Sequence, residues 1–326
     1  MRALFYRASC FLACWMLAFA TNATEIEVID DSGRAVLLKG PARRVISLSP
    51  HTTELIFAAG GGDKLVATTE GSNFPAQALT LPRLGDQRAP DPARVATYKP
   101  DLIFGWLTTE LDSLKALNVP IFISTPTSLI EIADSVETFG VLLGTAPVAR
   151  VRAQALRQKL DALARAAAGK RGVRVLLQAG TEPEGALTRE HLLSDVVTLC
   201  GGSNIITEDG VGAPKLSLAQ LAARAPELVL IARIGAGAAP VVDSAGVSHW
   251  QSAGLPAARL GRVFMVDADA VFRSGPRLIE AAEPICELIE QSRKYPHART
   301  AAPSCPLKLN CSDRDRVVTS HHALTY

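Results

Sequence analysis

The chain is poor in aromatic side chains, 5% of 326 residues, and in histidine, with six in all and three of them crowded into residues 297–322. That leaves little from which to build a metal-inserting or His-based catalytic centre. There is no G-x-S-x-G elbow and no phosphate-cradling glycine loop. No C-x-x-C pair or His-rich spacing of the kind zinc takes is present. Beyond the first thirty positions no run of eighteen uncharged apolar residues occurs, which excludes a polytopic helical membrane protein. Nor is there an excess of one charge. The net is +2, and the ends supply all of the positive surplus, +2 in residues 1–23 and +3 in 294–326, so the body stands at −3. A mildly acidic body gives no electrostatic footprint for nucleic acid. What is present is ordinary globular material, 48% hydrophobic and 20% charged, at a length that predicts roughly two domains.

Residues 1–23 read as a secretory leader. Arg2 and Arg7 form a basic front, Ser9 to Ala20 an apolar core, and Ala18-Phe19-Ala20 or Thr21-Asn22-Ala23 a small-residue cleavage site. The expectation is a cleaved signal peptide and an oxidising destination where disulfides persist. Cys10 and Cys14 leave with the leader. Cys200, Cys286, Cys305 and Cys311 remain, and four cysteines allow three pairings. Cys200 ends the helical stretch Leu192–Cys200 and Cys286 lies inside another, Pro276–Ser292, so a bridge between two helices is one reading and a reactive thiol the other.

Short strand-like runs alternate with helical ones: Arg44–Leu48, Lys64–Thr68, Asp101–Trp106 and Pro120–Thr125, then Arg174–Gln178, Leu228–Ile231 and Arg262–Val266. Runs rich in Val, Ile, Leu and Phe separated by helical patterns are the βαβ signature of largely parallel sheets. Between the two groups lies a long helical run opened by Pro147 and closed by Gly169, with an apolar stripe of Val148, Val151, Ala155, Leu156, Leu160, Leu163 and Ala167. The expected fold class is α/β, two lobes with mainly parallel sheets bridged by one long α-helix. The expected division is a signal peptide at 1–23, an N-terminal lobe at 41–145, a bridging helix at 146–170, a C-terminal lobe at 171–293 and a disordered tail at 294–326. In that tail Cys305 and Cys311 can close a small loop, and His321-His322 reads as a solvated pair.

In α/β lobes ligands bind beyond the carboxyl ends of strands. The residues found there are Ser49-Pro50-His51-Thr52-Thr53-Glu54 after the first run, Glu70-Gly71-Ser72-Asn73-Phe74-Pro75 after the second, Trp106 with Leu107-Thr108-Thr109 after the third, and Asp267 to Arg277 after the last. RVISLSPHTTELIFAAG, YKPDLIFGW, LLSDVVTLCGGSNII and DAVFRSGPRLIEAAEPIC together resemble the periplasmic cobalamin-binding proteins of ABC importers, over roughly Arg44 to Arg293. The resemblance implies a class III periplasmic binding protein fold, a corrinoid as bound ligand, no catalysis and no resident metal.

The resemblance also assigns residues. Asp269, Ala270, Val271, Phe272 and Arg273 match the family's ligand-contacting loop, with Ala270 in place of an aromatic. Trp106 matches a Trp that packs on the corrin. Gly71 stands where a cobalamin-contacting Tyr is often found, and Phe74 is a partial substitute. Apart from the resemblance, the chemistry of an amide-fringed ring calls for rim donors and acceptors, which Asp269, Arg273, Ser49 and Asn73 can supply. Cys200 and Cys286 match the family's disulfide. One departure concerns the partner, an inner-membrane ABC permease: the family's two docking glutamates are replaced by Ala93 and Ala219, and only Asp91 lies near a lost carboxylate. The protein is expected to be monomeric. The alternatives are a binder of haem or another metal chelate or siderophore, with His51 as an iron ligand, and a chelatase-like enzyme.

Overall fold

The computed structural model describes residues 25–86, 88–107, 111–180, 185–208, 216–252 and 254–294. The expected leader, the tail beyond Lys294, Cys305, Cys311, His321 and His322 lie outside them.

The chain starts with a hairpin, β1 (Ile26–Ile29) against β2 (Ala35–Leu38), antiparallel. Its turn is chemically specified. Asp30 Oδ1 accepts the backbone N–H groups of Ser32 and Arg34 at 2.9 and 3.0 Å, and Gly33 takes a φ of +80°. Val36 and Leu38 carry the hairpin into the core.

The first sheet comprises β3 (Val45–Ser47), β4 (Leu65–Ala67), β5 (Leu102–Gly105) and β6 (Ile121–Ile123), in the order β4-β3-β5-β6, all parallel. The second comprises β7 (Val173–Ala179), β8 (Gly202–Asn204), β9 (Leu228–Arg233), β10 (Val241–Val242) and β11 (Val263–Asp267), in the order β10-β11-β9-β7-β8. There β10 alone runs antiparallel. The seven expected runs are thus β3, β4, β5, β6, β7, β9 and β11. Separate apolar clusters on the two faces of each sheet explain why the strands read as continuous hydrophobic runs.

The helix Ala146–Ala167, 22 residues, joins the two sheets, and at 1.5 Å per residue it reaches about 33 Å. The expected stripe needs correction. Val148 and Val151 are exposed, Val151 by 71%, and the buried face is Ala149, Ala153, Leu156 and Leu160. Small residues win there because the helix Leu129–Leu143 approaches closely. A Cβ on its Gly140 would lie 2.1 Å from that of Ala149, so glycine opposite alanine sets the spacing. Arg157 pairs with Asp134 and Glu137 of that neighbour at 2.6 and 2.9 Å. On the other side, Lys159 pairs with Glu283 at 2.8 Å and Arg152 with Glu280, both on the last helix, Pro276–Lys294.

The disulfide joins Cys200, which caps the helix Leu192–Leu199, to Cys286 in the last helix, with Cα atoms 4.8 Å apart.

Candidate functional site

The carboxyl end of β3 runs into Ser49, the N-cap of the helix Pro50–Ala58. Hydroxyl groups do the local building. Ser47 Oγ lies 2.7 Å from both Thr52 Oγ1 and Thr53 Oγ1, and Thr53 Oγ1 lies 2.7 Å from Thr68 Oγ1 and 3.0 Å from Ser72 Oγ. All five are buried, so their mutual bonds offset the cost of leaving water. The network ties the loop after β4 to this helix. Arg83 secures the same loop by donating Nη1 to the Thr69 and Ser72 carbonyls at 2.9 and 2.7 Å.

That loop presents Gly71 at a cavity of about 620 Å³, whose lining includes Pro50, Glu70, Gly71, Asp86 and Trp106. The size suits an organic ligand. Trp106 follows the last residue of β5 and stands edge-on to His51, centroids 5.8 Å apart and planes at 72°. His51 itself is buried. Its Nε2–H donates to the Ser124 carbonyl and its Nδ1 accepts from Ser49 Oγ, both at 3.0 Å. Burial pulls its pKa down to about 4, and the Arg273 charge acts in the same direction against the Ser124 bond. In this arrangement the one ring lone pair of the neutral imidazole, on Nδ1, is engaged by Ser49 and the ring is buried, so His51 does not present a ligand for iron.

In the second lobe Asp267, the last residue of β11, caps the turn Ala268–Val271 by accepting the Asp269 N–H at 3.2 Å. One turn apart, Arg273 Nη2 donates to Asp269 Oδ1 at 2.6 Å. Asn73 of the first lobe completes the set. Its Nδ2 donates to Asp269 Oδ2, and its Oδ1 accepts from Arg273 Nη1, each at 2.7 Å. The Arg277 guanidinium lies 4.5 Å over the Phe74 ring, a cation–π arrangement. The two loops expected to hold ligand from opposite lobes therefore touch each other.

The expected residues do not all reach the ligand edge. Trp106 and Gly71 line the cavity. Phe74 is 39% exposed and Phe272 41%, and Asp269 and Arg273 meet Asn73 as described. Ala270 is half-buried. Ser49 and Val271 need correction. Ser49 is fully buried, its hydroxyl spent on the helix cap and on His51, and Val271 belongs to the core. A hydroxyl at an N-cap and a Val in a one-turn helix are drawn inward by the helix, whatever the loop around them does.

Sequence reasoning missed His191. It caps the helix Leu192–Leu199, Nδ1 accepting the Leu193 N–H at 3.1 Å, and stands edge-on to Phe272 at 5.1 Å. Burial lowers its pKa, so it too is neutral. Glu54 and Arg277 were quoted in the sequence without a role, and both sit at the junction of the lobes. The sequence signal for Glu54 was a lone carboxylate running straight into the apolar stretch Leu55-Ile56-Phe57, and the structure buries every residue from His51 to Ile56. A charge placed there demands a cation.

The cavity is lined by first-lobe residues, with Trp106 as its aromatic ring, while Phe74 and Phe272 are partly exposed on the loops that meet between the lobes. No group of His, Cys, Asp or Glu suited to a metal ion occurs among the described residues. Such a site can hold a large amphipathic ring with polar substituents.

The family model for periplasmic binding protein matches residues 45–270. A vitamin B12-binding protein of Vibrio cholerae is 33% identical over 258 residues, 78% of this chain and 91% of that relative. One from Yersinia pestis is 34% identical over 250 residues, 76% of this chain and 86% of the relative. The solved structure of the periplasmic vitamin B12 binding protein BtuF of Vibrio cholerae superposes with a TM-score of 0.67 at 32% identity, over 78% of this chain and 99% of that one. The periplasmic heme-binding protein RhuT from Roseiflexus sp. RS-1 gives a TM-score of 0.65 at 22% identity, over 77% of this chain and 99% of that one, a likeness of fold alone.

Proposed function

The chain belongs to the periplasmic binding protein family, and from that premise we propose that it captures a corrinoid of the vitamin B12 kind between its lobes and delivers it to an ABC importer. The observation that carries this reading is the meeting of Asn73 from the first lobe with Asp269 and Arg273 from the second, together with a first-lobe cavity lined by Gly71 and Trp106. A corrin ring fringed with amides needs flat apolar surface for its face and donors and acceptors for its rim. Trp106 and Phe272 supply the first; Asp269, Arg273 and Asn73 supply the second. Relatives named for vitamin B12 binding, matched over most of their length, support the same ligand class.

The reading includes capture without catalysis, a leader cleaved near residue 23, a periplasmic monomer, and the division of the body at 41–145, 146–170 and 171–293. It also includes the permease partner. Ala93 and Ala219 lie in the first turns of the helices Pro92–Thr97 and Leu218–Ala223. The Asp91 carboxylate accepts the Ala93 N–H at 2.9 Å as a helix cap, which commits one of its oxygens. Docking then draws on charges other than the usual glutamate pair.

Calorimetric titration with cyanocobalamin tests the ligand. Saturable binding is expected. Trp106→Ala removes a large flat contact, and an aromatic anchor of this kind is worth about 2 kcal/mol, roughly thirtyfold in affinity. Absence of binding by the parent, with haemin binding instead, overturns the corrinoid reading.

A further inference from the structure

The helix Pro50–Ala58 buries six consecutive residues, His51 to Ile56, and one of them is a carboxylate. The Glu54 side chain is 1% exposed. Its Oε1 accepts from Arg277 Nη2 at 2.6 Å and lies 3.3 Å from Arg273 Nη1. Its Oε2 is buried with no hydrogen-bond partner among the described residues. Both arginines belong to the second lobe. The chain makes room for this contact, since a Cβ on Gly275 would lie 3.1 Å from Glu54 Oε2.

The second-lobe partners are themselves tied together. Arg277 Nη2 also donates to the Asp269 carbonyl at 3.1 Å, and Arg277 Nη1 lies 3.7 Å from Asp267 Oδ2. Arg273 holds Asp269 and Asn73. Three carboxylates and two guanidiniums thus form one connected group that crosses the lobe boundary at three first-lobe residues, Glu54, Asn73 and Phe74.

We propose that Glu54 is a positioning residue for the ligand cleft: by holding Arg273 and Arg277 across the lobe boundary it fixes the spacing of the two ligand loops before any ligand arrives. This rests on the reading of the cleft as the ligand site. A buried carboxylate facing two arginines is expensive to desolvate and strongly directional once paired. Such a group contributes little net stability but defines one arrangement of the pieces it joins. It lies one turn along the helix from Pro50, which lines the cavity, and is joined to Asp269 through Arg273 and Arg277. Arg273 then acts on ligand affinity chiefly by holding Asp269 and Asn73 in place. A loop pair held to fixed spacing avoids the ordering cost that a floppy cleft meets on binding.

Two independent arms test this. In the first, spin labels on Thr80→Cys and Ser248→Cys, exposed positions of the first and second lobes, report the interlobe distance of the ligand-free protein. The parent is expected to give one narrow distribution, and Glu54→Gln and Arg277→Met each a broader one. The double variant should be no broader than the worse single, as for groups acting as a unit. Circular dichroism in the aromatic region selects variants that fold, and Arg277→Met decides the matter should Glu54→Gln not fold. Distributions as narrow as the parent's in the folded variants overturn the proposal.

The second arm titrates cyanocobalamin. If Glu54→Gln leaves the competent spacing about one-tenth populated, affinity falls about tenfold. The pH profile separates positioning from mere stability. Burial pushes the Glu54 carboxyl up against the pull of Arg277 and Arg273. Asp267 and Asp269 of the second lobe share these arginines, and His51 lies three residues before Glu54 on its own helix. As pH falls, the parent should lose affinity when Glu54 takes up a proton, while Glu54→Gln should show no such step. Identical profiles count against the proposal. A parent that does not bind cyanocobalamin refutes the corrinoid reading and leaves the distance measurement to decide the role of Glu54.

Discussion

At the scale of single residues, the site is held by groups that cannot themselves reach a ligand. His51 is the sharpest case. It follows an apolar run in the sequence, which offers it as an iron ligand for the haem alternative. The fold turns it inward as a neutral prop for Trp106. This has a measurable cost. With the folded pKa near 4 and an unfolded value near 6.5, the unfolded chain binds the extra proton between those limits. His51 therefore lowers stability as pH falls through that window, by on the order of 3 kcal/mol at its acid end. Above about pH 6.5 both states are neutral and the effect is absent. Denaturant unfolding of the parent and of His51→Gln at a series of pH values checks this. The variant should be less stable at neutral pH, having lost a packed ring, and should lose less on acidification. Parallel pH curves would refute the account.

At the scale of elements, the parts that the sequence made legible were those whose signal is composition. β3, β5, β7 and β9 are buried on both faces, and their apolar runs say so. The hairpin of β1 and β2 was not read as part of the first lobe, although Asp30 and Gly33 specify its turn. β8 is Gly-Ser-Asn and exists only because β7 offers it a parallel partner. β10 is two exposed valines on an antiparallel edge. Pairing made both, and pairing is not written in a three-residue window. The bridging helix was visible in length but misjudged in phase, because its closest contact is made by alanine against glycine rather than by large side chains. Gly140→Ala tests that contact. With Ala149 so near, the added methyl has to push the helices apart, and overpacking of this kind costs about 1–3 kcal/mol, against a helix-propensity gain of about 1 kcal/mol. A net loss is expected in chemical denaturation. A variant more stable than the parent would mean the two helices have slack that the structure does not show.

At the scale of the whole molecule, the question is how far the lobes move. A single apolar cluster runs from the first lobe through Ala149, Ala153, Leu156 and Leu160 of the bridging helix into the second lobe. The helix carries ion pairs to both sides, with Asp134 and Glu137 on one and Glu280 and Glu283 on the other. Exposed pairs of this sort contribute little energy each, so the cluster carries the stiffness and the pairs refine it. The Glu54 group closes the opposite side of the junction. Hinge closure of the large kind needs a few residues free to absorb backbone rotation, and here the connection is one helix of 22 residues packed along its length. The expected outcome in solution scattering is a radius of gyration that stays the same, within error, on saturation with cyanocobalamin. Glu54→Gln should differ, with a larger value when free that returns toward the parent's when ligand is added. A marked contraction of the parent on binding would show that the helix bends, and the fixed spacing argued from Glu54 would then belong to only one of two states.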